Sequence, residues 1–235
     1  QRQMCIRDSY KDIPNWPQST VSGHKGRLMA GLLEGKEVLC MQGRFHLYEG
    51  HPAETIKMIM SVFKTIGIKN LIVTNAAGSL RTEMAPGSIM LITDHINFSG
   101  RNPLVGQNDE NFGPRFPVMA NAYTKEYQEK MRQIAQAEKI ELHEGTYLMV
   151  LGPNFETAAE IRAFQVLGAD AVGMSTVPEV LSAVWCDMKI LGLSVITNYG
   201  TGMVQEFHGH TETLQQADNA AGNLTKLVRR FVKEI

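Results

Sequence analysis

The sequence has little cysteine and no long apolar run. Its three cysteines, Cys5, Cys40 and Cys186, lie far apart among 235 residues and show no Cys-x-x-Cys spacing. This odd, scattered set argues against a disulfide framework or a zinc site and favours free thiols in a reducing compartment. No apolar stretch is long enough to span a bilayer, and no signal-peptide pattern is seen. We therefore expect a cytoplasmic protein without a membrane partner.

The sequence also lacks an excess of either charge. It has 23 Lys and Arg against 24 Asp and Glu, which gives a formal net charge of -1. This balance provides no basic surface for nucleic acid and no acidic tail, so we expect no nucleic-acid partner. A hydrophobic fraction of 43% and a charged fraction of 20% are ordinary for a globular protein, and the length fits a single domain.

Residues 1–9 (QRQMCIRDS) show neither a helical nor a strand period. The segment resembles adapter-derived sequence at the broken end of an assembled gene, and the alternative is a genuine polar tail. We expect a non-native segment there, followed by one domain over residues 10–235.

From residue 37 onwards, short apolar runs alternate with longer amphipathic ones. This alternation predicts an α/β fold, a single domain with a mixed, mostly parallel sheet flanked by helices on both faces. The predicted strands are residues 37–42, 70–74, 88–93, 145–151, 169–173 and 190–197. The predicted helices are residues 52–66, 122–139, 157–167, 177–187 and 212–233. Residues 75–78 read as a turn, and residues 97–119 as a long loop of the kind that is usually functional.

Polar side chains gather where the strand of residues 37–42 ends. Arg44, His46, Tyr48 and Glu49 follow it, and the Arg44 guanidinium suits phosphate oxygens. Ligands of open α/β sheets bind beyond the carboxyl ends of the strands, which favours a functional site here. A solvated loop with a surface Arg–Glu pair fits the same residues.

Two later segments combine helix starts with unexplained polar residues. Thr157 and Glu160 form a capping-box pattern, which leaves Glu156 unexplained beside Phe155. A carboxylate beside an aromatic ring suits a flat heterocycle that carries N–H donors, although an exposed loop glutamate is equally compatible.

A second capping box is predicted for Thr176 and Glu179, with Pro178 in the first turn of the helix. That places Ser175 at a helix N-terminus, where anions bind readily. Downstream, the strand ending at Asn198 is followed by His208 and His210. This histidine pair fits a substrate contact, a surface loop or a metal site, but no third ligand is suitably spaced.

Taken together, these strand ends resemble the trimeric purine nucleoside phosphorylases. The similarity extends from residue 10 to the C-terminus and is most specific in GPNFET and VGMSTVPE. Further matching stretches are IPNWPQSTVSGHKGRL, MQGRFHLYEGHP, LIVTNAAGSL, MLITDHINFSGRNPL, EGTYLMV and SVITN.

The resemblance implies phosphorolysis of 6-oxopurine nucleosides in purine salvage, with phosphate as co-substrate, no metal or cofactor, and a homotrimer or a dimer of trimers. It implies that phosphate is bound by Arg44, His46, Ser175 and the Ala76 backbone, with His24 nearby. Tyr48 and Met174 would pack on ribose, and His210 would bind its 5′-hydroxyl. The implied purine contacts are Phe155, Glu156, Val172 and Asn198. Among all these residues, the implied catalytic set is Asn198, Glu156, His46 and His210, and Phe116 would reach into a neighbouring subunit's site.

The same resemblance leaves two alternatives open. The family begins with a strand and a glycine-rich, serine-containing phosphate loop, which residues 10–235 lack, so we expect an N-terminally truncated chain that could be an inactive purine-binding fragment. A methylthioadenosine-type phosphorylase is the other alternative. That branch has aspartate at the position of Asn198, so Asn198 favours 6-oxopurines.

Overall fold

The computed structural model describes residues 6–21, 24–204 and 210–235, with the side chains of residues 6, 7 and 210–219 outside the description. Within these residues, eight strands are present: β1 (Ile6–Ser9), β2 (Arg27–Leu33), β3 (Lys36–Gln42), β4 (Asn70–Ser79), β5 (Ile89–Asn97), β6 (Leu142–Met149), β7 (Ala171–Gly173) and β8 (Lys189–Tyr199). The same part of the chain contains five α-helices: α1 (Ala53–Thr65), α2 (Lys125–Glu138), α3 (Ala158–Val166), α4 (Val177–Trp185) and α5 (His210–Glu234).

The strands form two sheets. Strands β1, β2 and β3 make an antiparallel sheet, while the other five close into a barrel in the order β4-β7-β6-β5-β8. In the barrel, β4–β8, β5–β6 and β6–β7 are parallel, whereas β4–β7 and β5–β8 are antiparallel. The predicted single α/β domain with a mixed sheet is confirmed, and its barrel closure and separate antiparallel sheet are additional features.

Strand β8 separates two hydrophobic cores. Its residues from Ile190 to Thr197 are all buried, which fits a strand covered on both faces. Leu191 and Leu193 pack with apolar residues of α2 and α5, whereas Ile190 and Ile196 belong to the larger core with α1 and α4. This alternation follows from the two-residue period of a strand, and it places helices on both sides as predicted.

Two local predictions are wrong, and one strand is missing from the prediction. Residues 75–78 do not form a turn, because β4 continues through them to Ser79 with a register shift at Ala77 and Gly78. Residues 6–9 are not irregular, since their backbone pairs with β2. Strand β2 itself was not predicted. Whether residues 1–9 are native, and whether residues 10–235 lack a strand and a phosphate loop, stay predictions.

The long segment between β5 and α2 is anchored on α1 and α4. Trp185 Nε1 donates to Asn108 Oδ1 at 3.0 Å, and the Phe112 ring stacks on Trp185 with centroids 5.8 Å apart. Lys64 Nζ donates to the Phe112 carbonyl at 2.7 Å. These contacts hold an irregular segment in one conformation, as expected for a functional loop. Among the described helices, none is long and apolar enough to cross a membrane.

The packing of this segment on α4 can be tested at Gly113. A Cβ at Gly113 would overlap the Trp185 carbonyl oxygen and lie 2.8 Å from Trp185 Cδ1. We therefore expect Gly113→Ala to lower the free energy of unfolding, measured by urea denaturation, by about 1–3 kcal/mol. A Cβ at Gly222 in α5 would meet no atom within 4 Å. Gly222→Ala should therefore raise the free energy of unfolding by up to about 1 kcal/mol. Equal stability of the two variants would contradict the close packing.

Candidate active site

Arg44 connects the end of β3 to the start of α4. Its Nη1 donates to Glu179 Oε1 at 3.0 Å and to Thr176 Oγ1 at 3.1 Å, while Nη2 donates to the Thr74 carbonyl. The Arg44–Glu179 ion pair is largely shielded from solvent. These bonds use three of the five guanidinium N–H groups and leave two for a ligand.

The Thr176–Glu179 capping box predicted from the sequence is wrong. Thr176 makes no side-chain cap on α4, and its backbone is left-handed at φ 76°. Glu179 instead pairs with Arg44, 135 residues away in the sequence. In a capping box the Glu179 carboxylate would accept a backbone N–H, whereas here it pairs with the positive charge of a largely shielded guanidinium, so the tertiary partner prevails over the local one.

His24 is packed against the backbone of Arg44. Its Nδ1 lies 3.1 Å from Arg44 N and 3.0 Å from Arg44 O, and its ring centroid is 5.1 Å from that of His46. Gly43 permits this approach, because it has φ 111° and a Cβ there would lie 2.8 Å from His24 Cβ. The predicted neighbourhood of His24, Arg44 and His46 therefore exists.

Glu49 orients His46 and joins two segments. Its Oε1 accepts from His46 N at 2.7 Å and lies 3.2 Å from His46 Nδ1, while Oε2 accepts from Thr20 N at 2.6 Å and Thr20 Oγ1 at 2.8 Å. Burial alone would raise the pKa of Glu49, but these hydrogen bonds outweigh it and lower the pKa. The surface Arg–Glu pair that the sequence allowed does not form, since Arg44 pairs with Glu179. The Tyr48 ring stacks on His46, with centroids 4.6 Å apart.

Ser175 and Ala76 reach the same cluster from the barrel. Ser175 lies two residues before α4, and its Oγ is 3.1 Å from Thr176 Oγ1. Its backbone N–H donates to Tyr147 Oη, and its hydroxyl also hydrogen-bonds with this phenol. Ala76 is exposed on β4 directly after Asn75, whose Nδ2 donates to Thr176 Oγ1 at 2.9 Å.

Val172 and Asn198 lie on either side of Gly78. Gly78 pairs with Val172 across β4–β7 and with Asn198 across β4–β8. A Cβ at Gly78 would lie 3.0 Å from Asn198 Nδ2 and 3.6 Å from Val172 Cγ1, so the absence of a side chain there brings the two residues together. Asn198 Oδ1 accepts from Thr197 Oγ1, and Nδ2 uses one of its two hydrogens on the Tyr199 carbonyl.

Glu156 is buried directly before α3. The predicted capping box of this helix is confirmed, because Glu160 N donates to Thr157 Oγ1 at 3.2 Å and Thr157 N donates to Glu160 Oε2 at 2.7 Å. Glu156 stays outside this cap, is only 8% exposed, and has a pKa that burial raises. The exposed loop glutamate that the sequence allowed is excluded. Phe155 beside it is 45% exposed.

Two close contacts connect the segments that carry Glu156 and Asn198 to the other residues of the site. The chain after Asn198 packs on α3, since a Cβ at Gly202 would lie 2.7 Å from Ala158 Cβ. On the other side, a Cβ at Gly152 would overlap Met174 Sδ. Met174 lies between Val172 and Ser175 in the sequence, so one short stretch joins the Val172–Asn198 region to the Arg44 cluster.

The comparisons with known proteins identify the family of this chain. The model of the phosphorylase superfamily matches residues 3–233. Purine nucleoside phosphorylase 1 of Bacillus subtilis is 45% identical over 229 residues, which cover 97% of this chain and 84% of the relative. Purine nucleoside phosphorylase of Bos taurus is 48% identical over 234 residues, covering 96% and 81%. The chain belongs to the purine nucleoside phosphorylase family.

A solved structure of the family has the same fold. Purine nucleoside phosphorylase of Schistosoma mansoni in complex with inosine superimposes with a TM-score of 0.94 at 36% identity, covering 98% of this chain and 84% of the other.

Some predicted site residues do not enter the described cluster. Phe116 is 84% exposed in the segment before α2. His208 lies outside the described residues, and His210 is the first residue of α5 with its side chain outside the description. In the described part of the chain, no group of three or more His, Cys, Asp or Glu could hold a metal ion.

Sequence reasoning missed the residues that support the predicted ones. Asn75 and Thr176 were attributed to a turn and to a helix cap, and Glu49 had no assigned partner. Tyr147, whose hydroxyl accepts from Ser175 N, lies in a predicted strand, and its position there does not indicate this contact. The only available signal was a polar residue next to a candidate site residue, which does not identify its partner.

The burial of His46 makes stability depend on pH. Burial, followed by the positive charge of Arg44, lowers the pKa of His46 from 6.5 to about 4, against the opposing effect of Glu49. The unfolded chain takes up this proton below pH 6.5 and the folded chain only below about 4. The free energy of unfolding should therefore fall as pH is lowered from 6.5 to 4, with His46 contributing at most about 3 kcal/mol.

Urea denaturation across this pH range measures the effect. His46→Gln should show a shallower pH dependence than the parent, and His51→Gln, compared in parallel, controls for removal of a histidine from the same region. The lowered pKa of Glu49 acts in the same direction, and the imidazole hydrogen bond that contributes to it is lost in His46→Gln. Identical slopes for His46→Gln and the parent would contradict the buried neutral histidine.

Proposed function

We propose that the protein catalyses phosphorolysis of 6-oxopurine nucleosides and releases the free purine base and ribose 1-phosphate. The observation that carries this proposal is the junction between β7 and α4, where Val172, Met174 and Ser175 connect two regions of different chemistry. One region has cationic and hydroxyl donors for an anion, and the other has a buried carboxylate and an amide. The relatives named purine nucleoside phosphorylase belong to the same class of enzyme.

The first region suits inorganic phosphate. Arg44 retains two N–H donors, Ser175 has its hydroxyl, and His24 and His46 lie within the same cluster. The exposed residue Ala76 borders it through Asn75. Phosphate oxygens are well bound by a guanidinium fork supplemented by a hydroxyl donor.

The second region suits a purine nucleoside. Glu156 can accept the N1–H of a 6-oxopurine, and Asn198 can donate its second amide hydrogen to N7. Phe155 and Val172 provide apolar surface for the ring. Ribose would lie between the two regions against Tyr48 and Met174, with His210 assigned to the 5′-hydroxyl by the resemblance alone.

The reaction breaks the C1′–N9 bond and forms a C1′–O bond to phosphate. Positive charge develops on the ribose, and the purine leaves with the bonding electron pair. An anion held beside C1′ stabilises the first charge, and hydrogen bonds from Asn198 to the base stabilise the second. Binding both substrates in one site also converts a bimolecular encounter into a positioned reaction.

The assembly and cellular role are part of the proposal. We propose a homotrimer, or a dimer of trimers, in which the exposed Phe116 ring contributes to a neighbouring subunit's site. Burial of such an exposed aromatic ring on association is favourable. We also propose a role in cytoplasmic purine salvage with phosphate as co-substrate and no cofactor.

Release of hypoxanthine from inosine, with and without phosphate, tests the reaction. We expect turnover only with phosphate and a product mixture of hypoxanthine and ribose 1-phosphate. Methylthioadenosine and adenosine are assayed in parallel. Faster turnover of methylthioadenosine than of inosine would support the methylthioadenosine-type alternative, and purine binding without any turnover would support the purine-binding fragment.

The two glutamates at the start of α3 provide a matched pair of variants. Glu156→Ala should lower kcat/KM for inosine by tenfold or more, because it removes the acceptor for N1–H, with little change in melting temperature. Glu160→Ala should lower stability by about 1 kcal/mol through loss of the cap, with kcat/KM nearly unchanged. If both variants lose activity and stability equally, the purine site has been misplaced.

A further inference from the structure

Thr176 lies at the centre of the buried cluster and its backbone is strained. The residue is fully buried and adopts φ 76° and ψ -48°. A β-branched residue rarely adopts a positive φ, and such strain persists only where the surrounding structure enforces it. Its side chain does not cap α4. The hydroxyl therefore serves another purpose than helix capping.

The hydrogen bonds of Thr176 determine where its proton points. Arg44 Nη1 at 3.1 Å and Asn75 Nδ2 at 2.9 Å can only donate to Thr176 Oγ1. A hydroxyl has two acceptor lone pairs and one hydrogen, so these two donors occupy both lone pairs. The third neighbour, Ser175 Oγ at 3.1 Å, must then accept the Thr176 hydrogen.

The direction of the hydrogen bond from Thr176 to Ser175 determines whether the Ser175 hydroxyl can donate to a ligand. Because Ser175 Oγ accepts from Thr176, its own hydrogen can be donated elsewhere. The Ser175 backbone N–H is engaged by Tyr147 Oη, and the Ser175 hydroxyl is also within hydrogen-bonding reach of this phenol. Arg44 keeps two N–H groups beyond those bound by Thr176, Glu179 and Thr74. The Ser175 hydroxyl hydrogen, which Thr176 does not accept, can be donated to Tyr147 Oη or to a bound anion, and the two N–H groups of Arg44 suit the same anion.

We propose that Thr176 is a positioning residue for phosphate: its hydroxyl orients the Ser175 hydroxyl as a donor and fixes the Arg44 guanidinium. Thr176 acts through these two residues and need not contact phosphate itself. The inference rests on the proposed function, because it takes phosphate as the anion bound by Ser175 and Arg44. It adds a specific requirement for a hydroxyl at position 176.

Thr176→Ser and Thr176→Ala test this requirement, since the two variants differ only by the hydroxyl. Thr176→Ser should keep KM for phosphate within about twofold of the parent. Thr176→Ala should raise KM for phosphate about tenfold to a hundredfold, because a donor to a charged ligand is misaligned. KM for inosine should change little in both. Isothermal titration calorimetry with inorganic phosphate should show the same order of Kd values without turnover.

Two further variants act as controls. Ser182→Ala removes another buried hydroxyl from α4, one that donates to the Pro178 carbonyl, and should leave KM for phosphate unchanged. Asn75→Ala keeps Thr176 but frees one of its lone pairs, so the Ser175 hydrogen bond is no longer forced and KM for phosphate should rise. If the substitutions at position 176 prevent folding, KM for phosphate of Asn75→Ala tests the positioning role of Thr176.

The outcomes separate this inference from the proposed function. If the parent neither binds phosphate nor uses it in turnover, the proposed function fails. If the parent does both, and Thr176→Ala and Asn75→Ala bind phosphate as tightly as it does, only the positioning role of Thr176 fails. Equal losses in Thr176→Ser and Thr176→Ala would also overturn it, because the hydroxyl would then be irrelevant.

Discussion

The largely shielded ion pair between Arg44 and Glu179 joins parts of the chain that no shared sheet connects. Arg44 follows β3 of the antiparallel sheet, whereas Glu179 lies in α4 after the barrel strand β7. Breaking a largely shielded ion pair leaves each charge without its partner, so separation of the two parts is unfavourable. This constraint holds the turn with His46 and Tyr48 against the start of α4, next to the residues proposed to bind phosphate.

Two glycines bring the functional side chains close enough to act together. Gly43 lets His24 approach the backbone beside Arg44, and Gly78 leaves room for Asn198 and Val172 on adjacent strands. In both places a Cβ would occupy space that a functional side chain needs. The proposed purine and phosphate sites therefore depend on close packing at these two glycines as much as on the polar residues themselves.

The two capping-box patterns show what sequence reasoning can and cannot predict. Thr157 and Glu160 form their cap, and in the described part of the chain no ion pair competes for Glu160. Thr176 and Glu179 have the same spacing, yet Glu179 pairs with Arg44 and Thr176 binds Asn75 and Ser175. Local spacing predicts a contact only when no distant charge competes for the same side chain.

The sequence by itself determined the α/β class, most strands and helices, and the family, because apolar periodicity and short motifs are local properties. It also identified Glu156 as unexplained by its helix cap. Only the tertiary structure decided the closure of the barrel, the pairing of Arg44 with Glu179, and the partners of the Thr176 hydroxyl. These depend on groups about a hundred residues or more apart in the chain, and whether such groups meet is settled by packing, which local patterns do not encode.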